Sequence, residues 1–314
     1  MLQFSCRHFT TANKMKNLNP LDAPFNHYFN RIVDGKNNTV KGKQNAAKKT
    51  LESLKNIIAQ HYTLYTDKFK SDTLFTLPTS TYGGQQKEHL LQAYTGGGEA
   101  LDGLKAFIKA AQPTRLQGTC QYCGISIPKT MDHYVPKEDF PEFAVMALNL
   151  VPCCGECNGH KLAYWKDSNT RGIINFYRDP IPNVRFLFVT LVWSGNFAIP
   201  TFFIENSGNI DGTLFSIIEK HFSRLHLLSR YKDQSNDFIT DTIDSVVSNA
   251  DNPDPQTISN NLHGHVSKIE SRLGVNSWKA VLLQALASEA RFITLLSTKI
   301  ARKVDVNKDG DEDD

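Results

Sequence analysis

Apolar residues recur at helical spacing along most of this chain. Between residues 44 and 61 the face made by Leu51, Leu54, Ile57, Ile58, and Tyr62 just beyond, steps by three and four. Lys48, Lys49 and Lys55 fall mostly elsewhere, which predicts an amphipathic helix. Two shorter helices are expected over 88–94 and 99–111, split by Gly96-Gly97-Gly98. After Gly212 four more helical stretches follow, over 213–228, 237–248, 256–273 and 277–303. The last is capped by Ser277 and striped with Val281, Leu282, Ala285, Leu286, Phe292, Leu295, Leu296 and Ile300. Residues 184–193 and 197–204 are instead β-branched and aromatic around the turn Ser194-Gly195-Asn196, which predicts a β-hairpin. Its apolar residues are expected in a core. Residues 15–43 and 71–86 are rich in turn formers and are expected as loops. Two further short strands are expected over 131–135 and 148–153, followed by a helix over 155–165. The expected class is α+β: a mostly helical chain with a small strand–loop–strand–helix unit at its centre and a separate hairpin.

That central unit carries the chemistry. Cys120-Gln121-Tyr122-Cys123 and Cys154-Gly155-Glu156-Cys157 are two pairs with two-residue spacing. Each pair can present two sulfurs to one ion from a tight turn, and together they complete a tetrahedral zinc shell with Zn–S near ~2.3 Å. The competing reading is a disulfide pair or free thiols, which an intracellular chain disfavours. Cys153 lies outside this register and is expected as a small buried residue; Cys6 stands alone. Between the pairs lie Asp132-His133-Tyr134-Val135-Pro136-Lys137 and Asn149-Leu150-Val151-Pro152. Cys157 is followed by Asn158 and, three residues on, Lys161.

In this order and spacing, over about 45 of the 314 residues, the chain resembles the HNH nuclease family, whose fold is a ββα-metal finger. The resemblance implies catalytic roles for His133, Asn149 and Asn158. His133 stands at the general-base position, suited by an imidazole pKa near working pH. Asp132 and Asn158 match the ligands of one catalytic cation, and their oxygens suit Mg²⁺ or Mn²⁺. Asn149 matches the asparagine that braces the loop carrying the base. Lys137 and Lys161 are expected at flanking substrate phosphates. Cys120, Cys123, Cys154 and Cys157 hold a structural zinc. Many family members carry a second histidine where this chain has Asn158, which favours a hard cation. The neighbouring His160 is turned off that face of the helix.

The implied activity is hydrolysis of nucleic-acid phosphodiesters, with DNA favoured over RNA. The Asp-His-Tyr-x-Pro-Lys and Phe140-Pro141-Glu142-Phe143-Ala144 pattern looks like stand-alone HNH proteins of bacterial anti-phage systems, including Septu-type ones. Some of those work beside an ATPase. This chain has no Gly-Lys-Ser/Thr, so its glycine run is not a phosphate loop, and an ATPase or other sensor would have to be a partner. The alternative is a zinc-stabilised adaptor that binds nucleic acid or protein without catalysis. Such an adaptor needs the cysteines but not Asp132, His133 and Asn158. A homing or restriction-type enzyme would need a DNA-reading module in the flanks, and none is legible.

Charge adds little. The net charge is +3, but residues 1–70 hold twelve basic and four acidic residues, which suits either phosphate contacts or a solvated helix face. Arg171 and Arg178 are further candidate phosphate contacts. No apolar run reaches the ~18–20 residues of a membrane span and no signal-peptide core opens the chain, so a cytoplasmic protein is expected. Met15 is a plausible start, with the first fourteen residues a disordered extension. Residues 305–311 imitate the start of an EF-hand loop but lack its final glutamate, so 305–314 are expected as a disordered acidic tail. The expected divisions are 1–112 (helical), 113–180 (finger), 181–304 (hairpin and helices) and 305–314.

Overall fold

A computed structural model describes residues 17–21, 25–167 and 169–310, with the side chains of 305–310 left aside. Cys6, Met15, the proposed N-terminal extension and 311–314 lie outside the described residues. The chain divides into two compact units, one of 18–179 with 209–234, the other of 180–208 with Asn17 and 235–310. The helices preceding the finger thus belong to the same unit as the finger.

The first unit opens with α1 (Asn26–Asp34), inside a stretch expected as loop. Phe29, Ile32 and Val33, at helical spacing, bury one face of this helix, and that burial overrides the turn-forming composition around it. A two-residue ribbon, β1 (Thr39–Val40) with β2 (Lys43–Gln44), leads into α2 (Ala46–Lys70). Asn45 caps α2 by accepting from the Lys48 amide at 3.2 Å. The helix runs past the expected end at residue 61 because its buried stripe continues through Tyr62, Tyr65 and Phe69. Next come α3 (Gly84–Thr95) and α4 (Gly98–Ala110). The glycines between them have separate jobs. A Cβ on Gly97 would sit 2.6 Å from the Ala93 carbonyl and the Leu101 Cβ, and Gly98 lies at φ +54.

A single turn, α5 (Thr114–Gln117), precedes the finger. The finger is β3 (Thr130–His133), β4 (Leu150–Cys153) and α6 (Gly155–Lys161), in the expected order. The two strands are antiparallel, pairing Thr130 with Cys153 and His133 with Leu150. The segment that follows is latched back onto them. Tyr134 donates to the Ile173 carbonyl at 2.9 Å and Tyr177 to the Leu150 carbonyl at 2.8 Å. Inside that segment Arg171 is buried and binds Asp179 through two parallel bonds of 2.6 and 2.7 Å. α7 (Gly212–Arg224) and the start of α8 (Leu227–Asn249) complete the unit.

In the second unit β5 (Leu187–Ser194) and β6 (Phe197–Ile204) form the expected hairpin, with Gly195 at φ +55 in its two-residue turn. Leu187 and Phe202 are buried, whereas Val192, Phe197 and Ile199 are exposed, so only one face of the hairpin is core. β5 packs on α10 (Trp278–Ala287), and Asn276 ties the two together by accepting from the Phe186 and Leu187 amides. The single helix expected over 277–303 is two: α10 is followed by α11 (Ala290–Gly310) at a bend of 78°. Both helices pack on α9 (Pro255–Leu273), and the bend brings both apolar stripes to that one partner. α11 continues to Gly310, into the stretch expected as a disordered tail. Among the described residues no single helix is long and apolar enough to cross a membrane.

Asp179→Ala removes the buried carboxylate that Arg171 binds through two bonds, leaves the guanidinium only the more exposed Asp72 at 2.8 Å, and is expected to cost roughly 3 kcal/mol. Urea unfolding should show the midpoint falling at unchanged slope.

Candidate functional site

Two-residue spacing in each cysteine pair and the β3–β4–α6 fold bring four sulfurs together. Those of Cys120, Cys123, Cys154 and Cys157 all lie within 4.8 Å of one another and all four residues are buried. A tetrahedral zinc–thiolate shell requires sulfurs about 3.8 Å apart, and Cys123 and Cys154 are separated by 3.9 Å. Four thiolates at this distance repel one another, so full ionisation requires a cation. Without one, the four thiols hydrogen-bond among themselves and titrate as a set rather than one by one.

The surroundings also suit a metal. The Cys154 amide donates to the Cys120 sulfur at 3.3 Å and the Ile125 amide to Cys123 at 3.4 Å. From α8, Arg230 donates to the Cys157 sulfur at 3.4 Å while holding Glu156 at 2.6 Å. Tyr231 donates to the Cys123 carbonyl at 3.0 Å. This cluster can hold a zinc ion. Cys153 stays outside it, buried, with Thr130 Oγ1 at 3.3 Å from its sulfur, and burial pushes its thiol up to about 12.

Alternation along β3 turns Asp132 and His133 to different neighbours. Asp132 Oδ2 accepts from the Tyr122 hydroxyl at 2.7 Å and Oδ1 from the Lys161 ammonium at 3.1 Å. Lys161 also donates to the His133 carbonyl at 2.8 Å and is 0% exposed. Lys161, expected at a substrate phosphate, is instead an internal clasp between α6 and β3.

His133 Nε2 lies 2.8 Å from the Ala144 carbonyl. A carbonyl only accepts, so Nε2 carries the proton and Nδ1 keeps its lone pair. Burial pushes the imidazole down to about 4, against opposing pulls from the Ala144 carbonyl and Asp132. The Tyr94 ring stands edge-on to it, 4.5 Å between centroids.

Asn149 is fully buried and uses all of its amide. Its Oδ1 accepts from the Val135 amide at 2.8 Å and from the Tyr65 hydroxyl at 3.1 Å. Its Nδ2 donates to the carbonyls of Val135 at 3.0 Å and Phe143 at 3.2 Å. These bonds close the loop from residue 134 to 144, whose far end supplies the acceptor for His133. The Phe140–Val145 stretch is buried, as expected of a packed loop, and Ser80 donates to the Glu142 carboxylate at 2.7 Å.

Asp132, His133, Lys137 and Asn158 line one cleft of about 1270 Å³. The Asn158 side chain is half-buried and makes no hydrogen bond among the described residues. Each Asp132 oxygen has one partner and retains a lone pair. One carboxylate and one amide oxygen on one cleft are donors of the kind a hard divalent cation takes. Lys137 pairs with Glu138 at the rim. His160 points elsewhere, with Glu156 3.9 Å away and the His226 ring beside it. Arg171 is engaged with Asp179, and Arg178 donates to the Phe69 carbonyl at 2.9 Å. The cleft also takes in Tyr94, Lys105 and Lys109 from α3 and α4, and Lys129. Sequence reading had not singled these out. The one available signal was the four-residue step between Lys105 and Lys109, which any solvated helix face shares.

No family model matches this chain. Protein ea31 of Escherichia phage lambda is 29% identical over 128 residues, which is 40% of this chain and 43% of ea31. Septu protein PtuB of Bacillus thuringiensis is 30% identical over 95 residues, 29% of this chain and 36% of PtuB. In these matches the chain spans less than half the length of either relative. No solved structure matches.

Cys123→Ser is expected to abolish zinc binding and to lower the thermal midpoint sharply, since structural zinc contributes roughly 10–16 kcal/mol in small modules. Metal analysis of the purified variant checks this. Asn149→Ala leaves two buried carbonyls, an amide and a hydroxyl without their partner and is expected to destabilise by about 3 kcal/mol or more while keeping zinc, read by chemical denaturation.

Proposed function

We propose that this chain is a metal-dependent phosphodiesterase of HNH type that cuts nucleic acid, DNA before RNA, in defence against phage. The observation that carries this reading is the convergence of Asp132, His133 and Asn158 on one lysine-bearing cleft beside the four-cysteine cluster. The similarity to Septu protein PtuB supports the defence role and a partner protein, for example an ATPase that senses infection.

In this mechanism a phosphate of the substrate lies in the cleft with Lys137 beside it. His133 Nδ1 takes a proton from the attacking water. The Nε2–H bond to the Ala144 carbonyl holds the ring in the correct tautomer and favours the imidazolium that forms. Asn149 fixes the loop that supplies this carbonyl, so it is a positioning residue. Asp132 and Asn158 would hold a divalent cation, Mg²⁺ or Mn²⁺ by donor type, which would supply charge stabilisation at the phosphate and the leaving oxygen. Zinc at the four cysteines is structural.

One observation favours a second reading. Lys161 already supplies a positive partner to Asp132, as it would in a zinc-stabilised binding module without catalysis. That reading predicts binding without cutting under any metal.

Supercoiled plasmid, single-stranded DNA and RNA should be offered to wild type and His133→Ala with Mg²⁺, Mn²⁺ or chelator, with the partner added where one is captured. Metal-dependent cutting by wild type, reduced by at least about a hundredfold in His133→Ala with zinc content intact, is the expected result. Equal cutting by both would overturn the base assignment. Because neutral imidazole is the competent form and His133 sits at about 4, the rate should hold from about pH 7 to about pH 5.5. An unperturbed histidine would lose most of it there.

A further inference from the structure

The cleft has a second wall that the finger does not supply. Lys105 and Lys109 stand four residues apart on α4, about 6 Å along its axis, and both face the cleft. With Lys129 on the finger side they bring three ammonium groups to the cleft. None of the three is in an ion pair among the described residues, although Lys105 lies 5.5 Å from the centre of the Tyr94 ring. Unneutralised lysines on both banks suit a chain of phosphates.

The same cleft is edged by apolar surface. Ile127 is 60% exposed and Leu162 67% exposed. A single exposed leucine needs no explanation. Leu162, however, is held at φ +49, a left-handed conformation that costs a non-glycine residue roughly 1–3 kcal/mol. That conformation ends α6 and leaves the side chain at the cleft. Tyr94 adds an aromatic ring directly against His133. Apolar and aromatic groups gain nothing from phosphates. They gain from base faces, which a duplex hides in its stack and a single strand offers freely.

We infer that this cleft takes single-stranded nucleic acid, with Lys105 and Lys109 of α4 holding the backbone and Tyr94, Ile127 and Leu162 receiving unstacked bases beside the scissile phosphate. The inference rests on the nuclease reading of the same site and names the strandedness of its substrate. α4 is a binding wall rather than a catalytic element, so its lysines act on affinity and its salt dependence.

The test is a binding titration of the zinc-loaded His133→Ala chain without added Mg²⁺, by fluorescence anisotropy. The probes are short labelled DNA and RNA single strands and the matching duplexes, over a range of salt. Single strands of at least one of the two should bind about tenfold or more tighter than duplex. Adding Lys105→Gln with Lys109→Gln should weaken single-strand binding and flatten the log K against log salt slope by about 1.4, the value for two lost phosphate contacts on a single strand. Leu162→Ser should weaken binding severalfold at unchanged slope. Circular dichroism and zinc content confirm that each variant is folded. Equal or tighter binding of duplex, or an unchanged slope in the double lysine variant, overturns the inference. Cleavage is scored separately on wild type. A chain that cuts duplex through His133 while showing no single-strand preference leaves the nuclease reading standing and this one fallen. A chain that binds single strands through α4 but never cuts does the reverse.

Discussion

The frame of the site hangs on one buried ammonium. Lys161 at the end of α6 reaches across to the Asp132 carboxylate and the His133 carbonyl on β3. A lysine with no exposed surface is tolerable only where its charge is matched and its protons are accepted, and removal of one partner from such a pair costs several kcal/mol. This bond and the four-cysteine cluster grip α6 at its two ends. Together they set the distance between Asn158, on the helix, and Asp132, on the strand.

Asn149 does for the loop what Lys161 does for the helix. Its amide spends every donor and acceptor on the segment after His133 and on Tyr65 of α2. The helices before the finger are therefore part of the site's scaffold. α2 supports the asparagine from below, α3 sets Tyr94 against the imidazole, and α4 faces the cleft with two lysines. The glycine turn joins the last two, because only glycine at position 97 fits between the Ala93 carbonyl at the end of α3 and Leu101 at the start of α4.

Much of this was legible in the sequence, for physical reasons that differ by residue. The cysteine pairs announce themselves because metal geometry restricts their spacing. The order of Asp132, His133, Asn149 and Asn158 along the chain places them in one unit, and the structure sets three of them on one cleft and Asn149 in the loop behind it. Lys161 was misread because a lysine's default is solvent, and nothing local to it reveals an acid buried twenty-nine residues earlier. Lys105 and Lys109 went unremarked because a binding lysine and a solubilising one look alike until a wall faces them. α1 was lost to a turn-rich composition that three buried apolar residues override. The bend between α10 and α11 was hidden because an apolar stripe reports which residues are buried, not whether they are buried by one straight helix.

The state of His133 bears on how the proposed hydrolysis is powered. An imidazole held near 4 by burial is deprotonated at any ordinary pH, so a base at this position would always be in its working form. It is also a weak base, and a weak base gives little driving force for taking a proton from water. Two features reduce that deficit. The bond from Nε2 to the Ala144 carbonyl strengthens as the ring becomes positive, and a phosphate entering the cleft brings negative charge close to it. In the proposed mechanism the remainder would come from stabilising charge at phosphorus, by a cation held at Asp132 and Asn158 and by the cleft lysines. On this reading the histidine is tuned for availability rather than strength. Loss of either oxygen ligand should then hurt the rate about as badly as loss of the base.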